Sequence, residues 1–255
     1  MGPFVFTNSM VGALLASALL LIATVVVNRR AALVPGRFQT LVELPIEWLA
    51  GIVRGTGGKR WREFVGLVIA IFLFVLVANM IGLLPGVGVV GYEHETEHGE
   101  VVIVPFVRAA AADLNFTLGL AIIAFVAFIA WGVRANGIGG YLKELLIAEP
   151  AYMTPLLTPI HIISELSRLI SLSMRLFGNV FAGEVLLAVI LALVPLLVPV
   201  VFLGLELIFG FVQALVFALL TMTYITLAIA EHRQHGEGHG EASTHSEADP
   251  APGSA

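Results

Sequence analysis

The sequence predicts an all-α integral membrane protein of about five transmembrane helices. The last two form a long tilted hairpin, and an interfacial amphipathic helix lies beside the spans. Three observations lead there. Hydrophobic residues make up 58 % of the chain and charged residues only 12 %, where a soluble domain is about 25 % charged. Mean hydropathy is +0.98. Apolar stretches near the ~20 residues that a helix needs to cross a bilayer recur along the chain. The chain has no cysteine, so disulfides and thiolate chemistry are excluded. The net charge of −5 matters less than where the charges fall.

The first span is 10–27. It lacks a basic leader and ends at Arg29 and Arg30, so it reads as a span and not as a cleavable signal. The stretch 37–55 mixes apolar residues with Glu43, Glu47 and Arg54, which suits an interfacial amphipathic helix. The second span is 63–84, stopped by Pro85, and the third is 114–133. The region 153–230 is nearly continuous apolar sequence, interrupted near Pro195 and Pro199. Interior prolines are strongly disfavoured in helices. The region therefore divides into spans of about 155–194 and 200–230, folded back on each other. Residues 1–232 form the membrane domain. The tail 233–255, rich in Gly, Ser, His and Glu, cannot bury a core and is expected to be disordered.

Basic residues orient the spans. Arg29, Arg30, Arg37, Arg54, Lys59, Arg60 and Arg62 follow the first span. The loop after the second span holds Arg108 among Glu93, Glu95, Glu97, Glu100 and Asp113. Arg134 and Lys143 follow the third span. The N-terminus is thus expected outside and the C-terminus in the cytoplasm.

The stretch HIISELSRLISLSMRLFGN, 161–179, places charges inside a span. An ionised side chain there costs about 2.5–3.5 kcal/mol on insertion scales, so it should face protein or water. On a helix, His161, Glu165, Arg168, Leu172, Arg175 and Asn179 stay within roughly 40° of one line, at about 100° per residue. Ile163, Leu166, Ile170 and Leu176 are assigned to the opposite face, toward lipid or neighbouring helices. Glu165 and Arg168, at i and i+3, can neutralise each other. Arg175 has no acid three or four residues away, so its partner must come from elsewhere. As an arginine it stays protonated. Gly178, Ala182 and Gly183 permit close helix approach. Glu184 lies on another face. On the second arm, Glu206 and Gln213 share a face. In an antiparallel hairpin Gln213 returns near Arg175, and Glu206 near Glu184. Two carboxyl groups close together in low dielectric favour holding a proton on one of them, and either could be the one.

The stretch SLSMRLFGNVFAGE, 171–184, resembles the signature of the F-type ATP synthase subunit a family, SLxxRLFGNxxAGE. LFVLVANMIGLLPG at 73–86 resembles its second-span motif, ADLNFTLGLA at 112–121 the start of its third span, GYLKELL its cytoplasmic stretch before the hairpin, and FVQALVFALLTMTYI at 211–225 its last helix. The resemblance spans roughly 43–232. It implies a non-catalytic, ion-translocating subunit of a rotary ATP synthase. It matches Arg175 to the arginine that faces a ring of c subunits. Asn179 and Glu184 match polar residues of the outer half-channel, Gln213 the glutamine near the arginine, and Glu206 a position held by histidine or glutamate in relatives. Weaker matches are His161, Glu165, Arg168, Asp113 and Asn115. Two departures stand out: Arg168 is followed by Leu169 where the family usually has proline, and Glu184 with Glu206 makes a pair of acids. The implied partners are the c-subunit ring, the peripheral-stalk b subunits and the lipid membrane. No cofactor, metal or nucleic acid is expected. The implied location is a cell inner membrane, bacterial before organellar.

Two other readings fit parts of the sequence. His94-Glu95-Thr96-Glu97-His98 spells the H-E-x-x-H zinc protease motif, but that chemistry needs both histidines on one helical face. The motif lies in a polar loop between Gly91 and Gly99, expected to be solvated. His232, His235 and His239 in the tail could bind metal, against the simpler reading of a disordered acidic tail. A stand-alone ion transporter or channel would also use intramembrane Arg and Glu, but no internal repeat is apparent.

Overall fold

The computed structural model describes residues 7–30, 36–58, 60–84, 87, 90–95, 101–146, 154–194 and 197–244. The chain runs α1 (Asn8–Arg30), α2 (Arg37–Thr56), α3 (Trp61–Gly82), β1 (Gly91–Glu95), β2 (Val101–Pro105), α4 (Leu114–Leu146), α5 (Thr154–Leu193) and α6 (Val198–Thr244). Five of the helices are long and apolar enough to cross a membrane: α1, α3, α4, α5 and α6.

Helix α3 is the central post. Phe64, Val68, Phe72 and Val75 are fully or almost fully buried, and the helix packs chiefly on α6, with α1 and α2 also against it. Outward faces carry large apolar side chains, such as Leu14, Leu21 and Ile22 of α1 and Ile163 of α5, which are more than half exposed. In water that would be costly, but it is what lipid contact requires.

Helix α2 is amphipathic, as its sequence suggests. Leu49 and Val53 are buried, whereas Leu41 and Leu44 are strongly exposed. Its corner with α3 depends on glycine. A Cβ on Gly57 would lie 2.6 Å from the Val53 carbonyl oxygen, and Gly58 has φ +66°. The guanidinium groups of Arg54 and Arg62 sit over the Trp61 ring, 5.1 and 5.5 Å from its centroid.

The loop after α3 differs from the sequence expectation. It holds an antiparallel hairpin, with Gly91 opposite Pro105 and Glu95 opposite Val101. The β-branched run Val101–Ile103–Val104 accounts for it, because such residues favour a pleated strand. His94 and Glu95 therefore lie in a strand, not on the helix that H-E-x-x-H zinc ligation needs. Residues 96–98 of that motif lie outside the described residues.

Asp113 starts α4. Its Oδ1 accepts the Asn115 backbone N–H at 2.9 Å, as an N-cap side chain does. The Ser9 hydroxyl donates to Asp113 Oδ2 at 2.6 Å, which ties α1 to this cap. Farther along, Gly137 (φ 74°, ψ 158°) interrupts α4 after its membrane-length part. Helix α6 runs on to Thr244, into the stretch that composition assigned to disorder. Once a helix exists, each added residue gains a hydrogen bond without a new nucleation cost. Residues 245–255 lie outside the described residues.

Candidate functional site

The antiparallel packing of α5 on α6 builds the site. Two contacts set its register. The Asn179 side-chain amide donates to the Phe209 carbonyl at 3.4 Å. Farther along, Gly183 faces Glu206 so closely that a Cβ there would lie 2.5 Å from Glu206 Oε1. Continued toward the start of α5 and the end of α6, this register brings Gln213 level with Arg175. Of the small residues on α5, Gly183 makes this close approach, while a Cβ on Gly178 would meet nothing within 4 Å.

The charged stripe is resolved into parts. Glu165 accepts from Arg168 Nη1 at 2.7 Å, the i, i+3 pair anticipated from spacing. The Arg168 guanidinium also lies 5.5 Å from the Tyr224 ring centroid. His161 is exposed, Asn179 half-buried and Leu172 buried. Arg175 is exposed and makes no ion pair among the described residues. The packed face of α5 is Leu172, Ser173, Leu176 and Val180. The polar stripe thus runs along the shoulder of the packed face. Leu176 corrects the sequence assignment, being fully buried. It lies about 60° from the stripe, at ~100° per residue, and not opposite it. Ile163, Leu166 and Ile170 are exposed as expected.

Glu184, Glu206 and Asn179 line one cavity of about 160 Å³ between α3, α5 and α6, with Asn79 on its α3 wall. That volume has room for water beside its four polar side chains, the remaining lining being mostly apolar. Asn79 was not singled out from sequence. Its amide donates to the Gly210 carbonyl at 3.1 Å. Gln213 is buried and its Nε2 has no hydrogen-bond partner among the described residues.

Glu184 has a partner that sequence reasoning missed. Arg108 donates to Glu184 Oε2 from Nε at 3.0 Å and from Nη2 at 2.7 Å. Arg108 also lines a second cavity, of about 410 Å³, with Thr7, Ser9 and Asp113. The ion pair therefore stands between the two cavities, with Glu184 lining the first and Arg108 the second. Its position is fixed by backbone contacts: Gly12 of α1 packs directly on the Arg108 carbonyl, and the Arg108 N–H donates to the Asn8 carbonyl at 3.4 Å. The signal available in sequence was a lone arginine in an acidic loop, five residues before the Asp113 cap. Asn115 is exposed at the start of α4.

Comparison with known proteins agrees with this architecture. The family profile described as ATP synthase A chain matches residues 10–226. ATP synthase subunit a of Gluconobacter oxydans is 36 % identical over 242 residues, covering 88 % of this chain and 89 % of the relative. The Gloeobacter violaceus subunit a is 36 % identical over 237 residues, covering 92 % and 89 %. The Mycobacterium ulcerans subunit a is 35 % identical over 206 residues, covering 79 % and 78 %. With its five membrane-length helices and this match along most of its length, the chain belongs to the ATP synthase A chain family and is a multi-pass membrane protein.

Proposed function

We propose that this subunit provides two aqueous half-channels and a fixed cation, Arg175, and thereby couples ion flow to rotation of a c-subunit ring and to ATP synthesis. One observation carries the reading. Arg175 projects from the exposed shoulder of α5, one turn from Asn179, which lines the cavity that holds Glu184 and Glu206. A charge so placed has no counter-ion within its own chain among the described residues. It calls for an anion presented by a neighbour.

The chemistry follows from the solvent. A ring carboxyl crosses lipid protonated, because an ionised carboxylate there is expensive. Opposite α5 it must release its proton to one aqueous path and take one from the other. Arg175 stabilises the carboxylate during that interval. As a permanent cation it also blocks protons from passing directly between the paths. Ions then cross only as the ring turns. The subunit itself carries out no bond chemistry; ATP is made elsewhere in the complex. The two cavities beside Arg108 suit the half-channel from the outer side, with His161, Glu165 and Arg168 nearer the cytoplasmic one. The basic ends of α1 and α2 favour a cytoplasmic C-terminus in a bacterial inner membrane, with b subunits of a peripheral stalk as further partners.

The test is ATP-driven proton pumping in inverted membrane vesicles, wild type against Arg175→Ala. Lost pumping in an assembled complex, with a passive proton leak, is the expected result. Unimpaired pumping would make Arg175 structural and return the stand-alone transporter reading.

A further inference from the structure

We infer that the corner between α2 and α3 is a binding site for an anionic membrane lipid, whose headgroup phosphate is held by Arg54 and Arg62 beside the Trp61 ring. The inference is independent of the half-channel reading above and involves no residue of the charged stripe.

The corner puts two cations on one indole. Arg54 lies in the last turn of α2, and Arg62 is the second residue of α3. Their guanidinium carbons are 5.1 and 5.5 Å from the Trp61 ring centroid, within cation–π range. Both arginines are exposed, while Trp61 is partly buried against the core. Gly57 makes room for that arrangement: a Cβ there would lie 3.0 Å from the Trp61 Cβ and 3.1 Å from the Phe64 ring. The packed indole is a platform that pre-orders two long side chains, which lowers the entropy lost when they take a ligand.

Neither guanidinium has an anion of its own. Arg54 and Arg62 make no ion pair among the described residues. Glu63, the next acid in the chain, is taken by Arg60 at 2.9 Å. On α2, Glu43 accepts from Gln39 at 2.7 Å, and Glu47 lies about two turns before Arg54. Between residues 54 and 63 the sequence sets Arg54, Lys59, Arg60 and Arg62 against Glu63 alone. The corner is a concentrated positive patch.

Its position selects a lipid over a soluble anion. Trp61 opens α3, a membrane-length helix, and tryptophan at the end of a span belongs at headgroup level. The outward stripe of α2 carries Leu41 and Leu44, 70 % and 66 % exposed, which suits acyl chains and not water. A lipid phosphate at that depth meets two guanidinium groups, whose forked N–H donors match phosphate oxygens. In the orientation proposed above the corner faces the cytoplasmic leaflet, whose anionic lipids attract basic segments.

The experiment reads Trp61 itself. The chain has three tryptophans, and Trp48→Phe with Trp131→Phe leaves Trp61 alone. The full-length subunit is placed in nanodiscs containing brominated phosphatidylglycerol or brominated phosphatidylcholine, and quenching of Trp61 fluorescence is titrated against the brominated fraction. Phosphatidylglycerol should be preferred by about twenty-fivefold, roughly fivefold for each arginine. Arg54→Gln and Arg62→Gln should each remove about fivefold of that preference, and the double variant nearly all of it. Circular dichroism checks folding, and the two single variants carry the test if the double variant does not fold. Arg37 lies about 25 Å along α2 from Arg54, beyond the Debye length of about 10 Å at 0.1 M salt. Arg37→Gln should therefore leave the preference within about twofold of wild type. Equal quenching by the two lipids would overturn the inference, because Trp61 would then be a plain interfacial anchor. A preference that survives the arginine substitutions, or that falls as far in Arg37→Gln, would overturn it too. So would displacement of phosphatidylglycerol by inorganic phosphate at constant ionic strength, which would make the corner a site for a soluble anion.

Discussion

Asn79 donates its side-chain amide to the backbone carbonyl of Gly210 across 3.1 Å, a buried bond that joins α3 to α6 at the wall of the acidic cavity. Gly210 lets the helices approach: a Cβ there would lie 3.4 Å from the Asn79 Cβ, which is ordinary contact. The hydrogen bond and the close approach are therefore separable. Asn79→Ala should lower the stability of the assembled complex by about 0.6 kcal/mol, the average for such bonds between membrane helices, and by no more than about 1.7 kcal/mol. Gly210→Ala should cost less. Thermal melting of the two purified complexes checks the order, and a larger loss for Gly210→Ala would refute it.

Two glycines five residues apart on α5 should affect pumping by different routes. Gly183→Ala forces the Glu206 carboxyl out of its seat, because the added carbon would sit 2.5 Å from it. Pumping should fall even though the change is one methyl group. Gly178→Leu meets nothing within its own chain at the Cβ. If the exposed shoulder of α5 faces a ring, the larger side chain should nevertheless impair pumping and leave the fold of the subunit intact. Circular dichroism of the subunit, set beside vesicle pumping, separates the two effects. Normal pumping by Gly178→Leu would argue that this face meets only lipid.

The sequence made the spans legible because a bilayer demands long apolar runs, and such runs are a local property. The Glu165–Arg168 pair was legible for the same reason: it lies within one turn. Arg108 and Glu184 are 76 residues apart, and nothing in either local pattern names the other. The β1–β2 hairpin was hidden by its polar first strand, which reads as a solvated loop. Leu176 was misplaced because α5 has its packed and polar faces side by side. The exposed ridge of Ile163, Leu166 and Ile170, not the stripe's exact opposite, marks the outward side.

The Glu165–Arg168 pair itself should matter little for stability. Its side chains retain 22 % and 31 % of their exposure, and pairs of this kind contribute roughly 0–1 kcal/mol. Arg168 also covers the Tyr224 ring, 5.5 Å from the centroid. Arg168→Lys keeps the charge but loses the flat guanidinium that lies over the ring. The expected outcome is assembly within about 1 kcal/mol of wild type and pumping within a factor of a few. Complete loss of pumping in Arg168→Lys would instead promote Arg168 to a role in the ion path, as its place on the charged stripe permits.

Arg175→Lys is the sharper test of a fixed charge. Lysine preserves a positive group at the shoulder of α5, so a purely electrostatic attraction to a passing carboxylate would survive it. A barrier would not. An ammonium group can lose its proton when desolvated, and it is more compact and more strongly hydrated than guanidinium. The substituted site could then pass protons between the two paths or hold the ring carboxylate in the wrong geometry. Coupled pumping should therefore fail in Arg175→Lys almost as fully as in Arg175→Ala, with a passive leak that rises with pH as more of the lysine deprotonates. Passive proton conductance of vesicles, measured across pH beside ATP-driven pumping, distinguishes the two roles. Normal coupled pumping by the lysine variant would mean that any cation suffices, and the barrier would have to lie in another residue.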